Sequence, residues 1–460
     1  MTIGLYLGAM GLGAFTVPKS QRETAALSRL FRVALLLSLV GAFAPAIIHF
    51  AHGATTFVSL HSGTTNGIFI FFPTAILVIV LIGFLSGIEL PLLMQLAEDE
   101  RVNRVLAADF VGSLLGAVLF PTLLLLQLDD LLIAFAIASA NVGAMVVLHQ
   151  YLTRLEARDT FVRAGLIFGS GACLLIAVVC HARVEQYFLR RYYYYKEYPN
   201  TWSGFLSGMS GLPTVERYVT PYQRIDIVHL VSGDYSDFFI DPYSSKFRDD
   251  PAFPWRYGLF LNGELQAFSN FEEIYHEYLA HVPLIRSGSV PRRILVLGGG
   301  DGMLLRELLK YPAVEGVTLV DIDPQMIALA RNHPVLVAMN KRSFDDPRVT
   351  VITDDAYRYI QHAQERFDAI YLDFPHPTDF SVSRLYSREF YSMVRSRLAP
   401  GGYAAMNADG INYLSAADSF GRQEIHPDNK WPLYYATLTA AGFEHVRPFF
   451  SNREPDNPRA

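Results

Sequence analysis

Residues 295–306 read LVLGGGDGMLLR, a glycine run between a strand-like and a helix-like stretch. Such a turn commonly lays backbone N–H groups around a phosphate at a helix N-terminus. Here Asp301 stands in the middle of the turn. Three more acids close later apolar stretches: Asp321 in VTLVD, Asp355 after VTVIT, and Asp373 in FDAIYLD. If these stretches are neighbouring parallel strands, the four carboxylates converge on one crevice beyond the strand ends, where open α/β sheets bind ligands. A dinucleotide or nucleoside triphosphate would bring its phosphates against Asp301, and that repulsion is several times stronger in a partly dry cleft than in water. No P-loop lysine followed by Ser or Thr is present to offset it.

The cluster suits a ligand that is a nucleoside at one end and a cation at the other. Asp321 is placed to accept both ribose hydroxyl protons. Asp355, with Asp354 competing for the role, can accept from an adenine amino group, and Asp301 can stand beside an ammonium or sulfonium. A sulfonium nucleoside meets all three demands. Asp373 lies where the reacting end of that ligand belongs, and a carboxylate in a cleft can take the proton that an amine nucleophile loses. Pro375 and Pro377 stiffen the turn that follows it.

The elements that must position these acids form a repeating pattern. From residue 293 onward, apolar strands (ILVLG, VTLVD, VTVIT, DAIYLD, GYAAMN) alternate with helices expected at 303–311, 324–332, 356–363, 388–397 and 432–441, and a last strand is expected near 444–450. Such alternation predicts a parallel sheet covered on both faces, a Rossmann-like α/β domain over 291–460. Before it, YQRIDIVHLV and RYGLFLNGELQAF predict a small antiparallel β domain over 219–290, with Asn262-Gly263 as a hairpin turn and EEIYHEYLAHVPL as a helix packing through Ile274, Leu279 and Val282.

The first 182 residues differ in kind. The chain has 460 residues, 51% of them hydrophobic, and a net charge of -6. Most of the apolar weight falls in six runs, roughly 1–16, 31–50, 68–88, 108–127, 129–148 and 164–181. Most approach the ~20 residues needed to cross a bilayer, which predicts an α-helical membrane domain of about six spans. Glu89 and Asp109 lie near the expected membrane edges, and Gly112, Gly116 and the Gly-Ser pairs predict close helix contacts. The basic, aromatic RRYYYYKEYPNTW (190–202) predicts an interfacial anchor, and 183–218 a connecting segment. Cys173 and Cys180, seven positions apart on a helix, are about 10 Å from each other and out of disulfide reach. No broad basic stripe suggests a nucleic-acid partner.

Taken together, TPYQRIDIV (220–228), LFLNGELQAFSNFEEIYHEYLAHVPL (259–284), LVLGGGDGMLLREL and FDAIYLDFPHP resemble the polyamine aminopropyltransferases, the spermidine synthase family. GLYLGAMGLGAF, LSGIELPLLMQL and LYSREFY are similar to its multi-pass bacterial membrane branch. The resemblance implies transfer of an aminopropyl group from decarboxylated S-adenosylmethionine, a co-substrate with no permanently bound cofactor, to putrescine or another polyamine, releasing 5'-methylthioadenosine. It implies that Gln223, His276, Gly298, Gly300, Asp301, Gly302, Asp321, Asp355 and Ala356 hold the donor. Gln266, Tyr275, Asp373 and His376 would line the acceptor and reacting centre, with Asp373 as base and Tyr275 and His376 beside it. It further implies a homo-oligomer such as a dimer, no metal, and a bacterial inner-membrane location.

Five features depart from the family pattern. Asn262 and Phe271 stand where aspartates are usual, and His376 replaces a second aspartate after Asp373. A neutral imidazole holds an ammonium less firmly than a carboxylate does. The family's membrane branch also has a hydrophobic segment before GLYLGAMG and a further strand after HVRPFF, both beyond the present termini. Two rival readings follow: a methyltransferase using intact S-adenosylmethionine, or a non-catalytic membrane protein that binds a nucleoside or polyamine. Loop charges (Lys19, Arg22, Arg29 and Arg32; Arg101, Arg104, Arg154, Arg158 and Arg163) put the soluble half outside, whereas donor supply puts it in the cytoplasm, the side expected here.

Overall fold

The computed structural model describes residues 2–18, 22–62, 68–97, 102–120, 128–155, 159–195, 201–207, 209, 211–230, 256–269, 272–375, 377, 380–407 and 430–449. It divides into two compact units, Met1–Pro221 and Tyr222–Ala460.

The first unit is a set of apolar helices: α1 (Thr2–Phe15), α2 (Glu23–Ser62), α3 (Ile68–Leu96), α4 (Val102–Leu119), α5 (Asp130–Leu155) and α6 (Thr160–Tyr193). Five of them, α2 to α6, are long and apolar enough to cross a bilayer, so the chain is a multi-pass membrane protein. The first expected span, 1–16, is the 14-residue α1. It covers ~21 Å at 1.5 Å per residue, short of the ~30 Å hydrocarbon layer. Small residues do bring helices together, at Gly13 and at Gly87 of a Ser-Gly pair, though not at Gly112 or Gly116. A Cβ on Gly13 would lie 2.1 Å from the Phe84 carbonyl oxygen, and one on Gly87 would lie 1.9 Å from that of Met10. The glycines thus let α1 and α3 touch backbone to backbone. Gly112 and Gly116 have nothing within 4 Å, because α4 buries none of its residues among those described. Asp109 is exposed on α4 and Glu89 half-buried on α3. The segment after α6 is not wholly irregular. It carries a short helix, α7 (Trp202–Leu206), and a strand, β1 (Glu216–Val219).

In the second unit, β2 (Arg224–Leu230), β3 (Arg256–Leu261) and β4 (Glu264–Phe268) run antiparallel. The β3–β4 turn has Asn262 and Gly263 both at positive φ, 52° and 85°, as a type I′ hairpin demands. The Asn262 Oδ1 accepts from the Arg224 backbone N–H at 2.9 Å. Asn262 therefore serves the hairpin, and asparagine suits its left-handed conformation. Helix α8 (Glu272–Ser287) follows, burying Leu279 and half-burying Val282. The side chain of Ile274 lies outside the described residues.

Five strands, β5 (Arg293–Gly298), β6 (Gly316–Asp321), β7 (Val349–Thr353), β8 (Phe367–Asp373) and β9 (Leu398–Met406), then form a parallel sheet in the order β7-β6-β5-β8-β9. Ile294 and Val296 pack into one layer of apolar side chains, and Leu295 and Leu297 into the other. This is why β5 is apolar at every interior position instead of alternating. The connecting helices are α9 (Met303–Leu308), α10 (Pro324–Asn332), α11 (Pro334–Asn340), α12 (Ala356–His362), α13 (Phe380–Ser383) and α14 (Arg388–Ser396), with α15 (Trp431–Ala440) after β9. Helix α11 was not anticipated: it starts on Pro334 at the residue after α10 ends and its cap. The strand expected near 444–450 is absent among the described residues, where 444–449 is irregular. Pro448 interrupts it, since proline cannot donate to a strand ladder.

Candidate active site

The order of the sheet puts β5 at its centre with β6 and β8 on either side, so their carboxyl ends share one edge. Gly298, which ends β5, has φ +84°, and a Cβ on it would lie 2.1 Å from the Asp373 carbonyl oxygen. The next residue, Gly299, donates its N–H to that oxygen at 3.0 Å. Gly300 donates to Asp321 Oδ2 at 3.0 Å, and a Cβ on Gly300 would come within 2.6 Å of the same oxygen. Glycine is required at both positions because the protein's own acceptors occupy the space against the backbone. Gly302, at φ +77°, precedes α9, and Asp301 Oδ1 accepts from the Met303 N–H at 2.8 Å. The backbone N–H groups of Gly299, Gly300, Gly302 and Met303, which could otherwise face a phosphate, are therefore already satisfied by carboxylates and carbonyls.

Asp321 also accepts from the Asp323 N–H, at 2.8 Å on Oδ1. Burial pushes its carboxyl up to about 6, with the Asp323 and Asp301 charges adding to the effect and the two backbone N–H groups opposing it. Asp323, not singled out from sequence, is fully buried. Its Oδ1 caps α10 through the Gln325 N–H at 3.0 Å, and its Oδ2 accepts from Gln223 Nε2 at 2.9 Å. Gln223 is thereby tied to the same strand end as Asp321. The DIDP stretch carried the signal, an acid at the N-cap before proline at the first helical position.

Asp355 is the N-cap of α12, accepting from the Tyr357 N–H at 2.8 Å, with Ala356 buried as the first helical residue. Its Oδ2 pairs with the Arg384 guanidinium. Asp354, the alternative acid, pairs with Arg358 and accepts from the Asp355 N–H at 2.7 Å. Both side chains thus already have protein partners, and Arg384 is a neighbour that nothing in the sequence indicated.

At the end of β8, the Tyr275 hydroxyl donates to Asp373 Oδ1 at 2.7 Å. The other oxygen, Oδ2, is buried with no hydrogen-bond partner among the described residues and lies 3.0 Å from where a Cβ of Gly299 would be. A buried carboxylate oxygen left unpaired is costly, so this one is available to a donor from water or a ligand. Burial pushes the Asp373 carboxyl up to about 6. The His276 charge and the Tyr275 hydroxyl pull it down, and the Asp301 charge pushes it up. Burial and the Asp373 charge together raise the Tyr275 hydroxyl well above its ordinary value, so it remains a donor.

His276 is buried, with Nδ1 2.9 Å from Glu272 Oε2 and 2.8 Å from the Glu272 carbonyl oxygen. Burial alone would lower its pKa. The hydrogen bond to Glu272 and the charges of Asp301 and Asp373 outweigh that and bring it to about 9. Glu272 and its partner Arg306 were missed from sequence, because their helices meet only in the fold.

Gln266 donates its side-chain N–H to the Glu264 carbonyl oxygen on its own strand at 3.2 Å. His376 and Phe271 lie outside the described residues. Glu277, His281 and Glu307 also converge, and the Lys310 ammonium pairs with both carboxylates.

Comparisons with known proteins agree with this architecture. The family model of the spermine/spermidine synthase domain matches residues 272–427. The chain is 31% identical over 423 residues to polyamine aminopropyltransferase 2 of Ralstonia nicotianae, covering 88% of this chain and 71% of that one. It is 30% identical over 410 residues to the polyamine aminopropyltransferase of Leptospira interrogans, covering 86% and 70%. The likeness to the Corynebacterium efficiens polyamine aminopropyltransferase, 30% identical, extends over 96% of this chain and 74% of that one. Because such relatives match along both the apolar helices and the carboxylate-edged sheet, the chain belongs to the polyamine aminopropyltransferase family.

Proposed function

We propose that this protein transfers an aminopropyl group from decarboxylated S-adenosylmethionine to an amine acceptor of the putrescine or polyamine class, with Asp373 as the base. The observation that carries the reading is the buried Oδ2 of Asp373, without a partner among the described residues, beside Tyr275 and a glycine turn whose Gly299 and Gly300 N–H groups are already taken. In the step, the acceptor nitrogen lone pair forms a bond to the aminopropyl carbon attached to sulfur. The carbon–sulfur bond breaks, and its electron pair neutralises the sulfonium as 5'-methylthioadenosine. The nitrogen gives up one proton to Asp373 Oδ2. A carboxyl with a pKa near 6 is ionised at neutral pH and still basic enough to share that proton. Asp321 receives the ribose hydroxyls on lone pairs left by Gly300 and Asp323. Asp301 faces the positive end of the donor, which lacks the carboxylate that this acid would repel.

The test is a product assay with the full-length protein in detergent, pairing the decarboxylated donor with a panel of amines. Methylthioadenosine release should match the alkylated amine formed. Preference for the carboxylated donor, with methyl transfer, would replace this reading by a methyltransferase. Donor binding without turnover of any amine would replace it by a binding role. We further place the catalytic unit in the cytoplasm of a bacterial inner-membrane protein, where sulfonium nucleosides are made. Inaccessibility of the unit to protease added outside intact cells is the expected outcome.

A further inference from the structure

The wall behind the site is charged where an apolar filling would serve the fold at lower cost. Arg306 is buried in α9 and grips Glu272 of α8 with two bonds, Nη1 to Oε1 at 2.5 Å and Nη2 to Oε2 at 3.0 Å. Its Nε donates to Glu307 Oε1 at 2.7 Å, and Glu307 is held in turn by Lys310 and by His281, whose Nε2 lies 2.9 Å away. The guanidinium plane is thus fixed from both sides. Glu272, 4% exposed, presents Oε2 and its own carbonyl oxygen to the same nitrogen of His276. Two acceptors on one ring nitrogen require that nitrogen to carry a proton. Replacing buried ion clusters by apolar side chains of similar volume is often neutral or stabilising, so the retained charges invite a role beyond packing.

We propose that Glu272, clamped by Arg306, is a positioning residue for the transfer step: it holds His276 as an imidazolium beside the site, and that charge keeps Asp373 ionised. The inference rests on the reading of Asp373 as the base. The groups acting on His276 are Glu272 on its own helix, Asp301 from the glycine turn and Asp373 from the end of β8, with the Tyr275 ring packed edge-on. Those acting on Asp373 are His276, Asp301 and Tyr275. Arg306 reaches the pair through Glu272. Among the groups acting on Asp373, His276 supplies the positive charge; Asp301 works against ionisation.

Glu272→Gln in the full-length protein tests this. The glutamine carbonyl can still accept from Arg306 and the backbone carbonyl of residue 272 can still accept from Nδ1, but the negative charge that favours the imidazolium is gone, which favours a neutral ring. His276, followed by NMR in protein labelled at histidine, should titrate at least about one unit below the wild-type value. Losing that charge should raise the Asp373 pKa by about one unit. The acid limb of kcat/KM, read as methylthioadenosine release, then moves up by the same amount. Activity should be about five-fold lower at pH 6 and converge with wild type near pH 9, where Asp373 is ionised in both. A His276 titration unchanged from wild type, or an equal loss of activity at every pH, overturns the proposal. His276→Gln removes the charge and leaves the Glu272–Arg306 pair. It should shift the acid limb likewise, and an unshifted limb refutes the inference even if Glu272→Gln fails to fold. If instead Asp373→Asn retains wild-type turnover, the base assignment fails, whereas the histidine titration still reports on Glu272.

Discussion

Replacing Asp373 with asparagine should cost activity and return stability, and the two effects should separate with pH. The amide keeps the side chain's size and an oxygen for the Tyr275 hydroxyl, but it cannot take a proton. Turnover should fall by ~100-fold or more, with donor affinity little changed. The stability effect follows from the displaced pKa, raised from 3.8 to about 6 by burial first of all. A shift of roughly two units, at ~1.4 kcal/mol each, means the ionised carboxylate costs the fold up to about 3 kcal/mol. For a carboxyl whose folded pKa is raised, the stabilising contribution is complete below the unfolded value and is lost as pH rises through the folded one. The variant should therefore gain most above pH 7, with the advantage shrinking to about 1 kcal/mol near pH 4.5. In a soluble unit of this size each kcal/mol moves the melting midpoint by ~2–4 °C, so a rise of several degrees at pH 7.5 is expected. Thermal melts of the detergent-solubilised protein at both pH values, with turnover measured alongside, supply the readings. Unchanged turnover, or an equal gain in midpoint at pH 4.5 and 7.5, would refute the reasoning.

Three other substitutions probe the remaining roles. Asp321→Ala should weaken donor binding, measured by calorimetry with methylthioadenosine, while donor affinity equal to wild type would place the ribose elsewhere. Tyr275→Phe removes the donor to Asp373 Oδ1, a bond to a charged group worth about 1.5–3 kcal/mol. The acid limb of the pH profile should move up by about one unit, and an unmoved limb would take the hydroxyl out of the base's environment. His376→Asp should increase the preference for short diamines over longer or monovalent amines in the panel assay, because a carboxylate pairs fully with an ammonium. An unaltered acceptor ranking would point to residue 271 instead.

Much of the fold was legible because its periodicities are strong. The uniformly apolar ILVLG, VTLVD and DAIYLD became central strands, and Asn262-Gly263 became the hairpin turn. The long apolar runs became five spanning helices. Misreadings fell where local pattern and tertiary contact diverge. Gly112 and Gly116 have the spacing of a close helix pair, yet α1 and α3 meet instead through Gly13 and Gly87. Asp355 sits at the strand end expected of it, ahead of the helix expected there; its pairing with Arg384 was not legible, because Arg384 is 29 residues away in sequence.

The sequence by itself determined that carboxylates would gather at one edge of a parallel sheet, since each closes an apolar strand and parallel strands share a direction. Which oxygens are already used follows from the packing of distant segments. That packing turned Gly299 and Gly300 toward acceptors of β8 and β6, left one oxygen of Asp373 open, and set His276 between Glu272 and the acids. The reason is physical. Strand polarity is local and repeats along the chain, whereas protonation and hydrogen-bond supply depend on which distant groups are brought within about 3 Å and shut off from water.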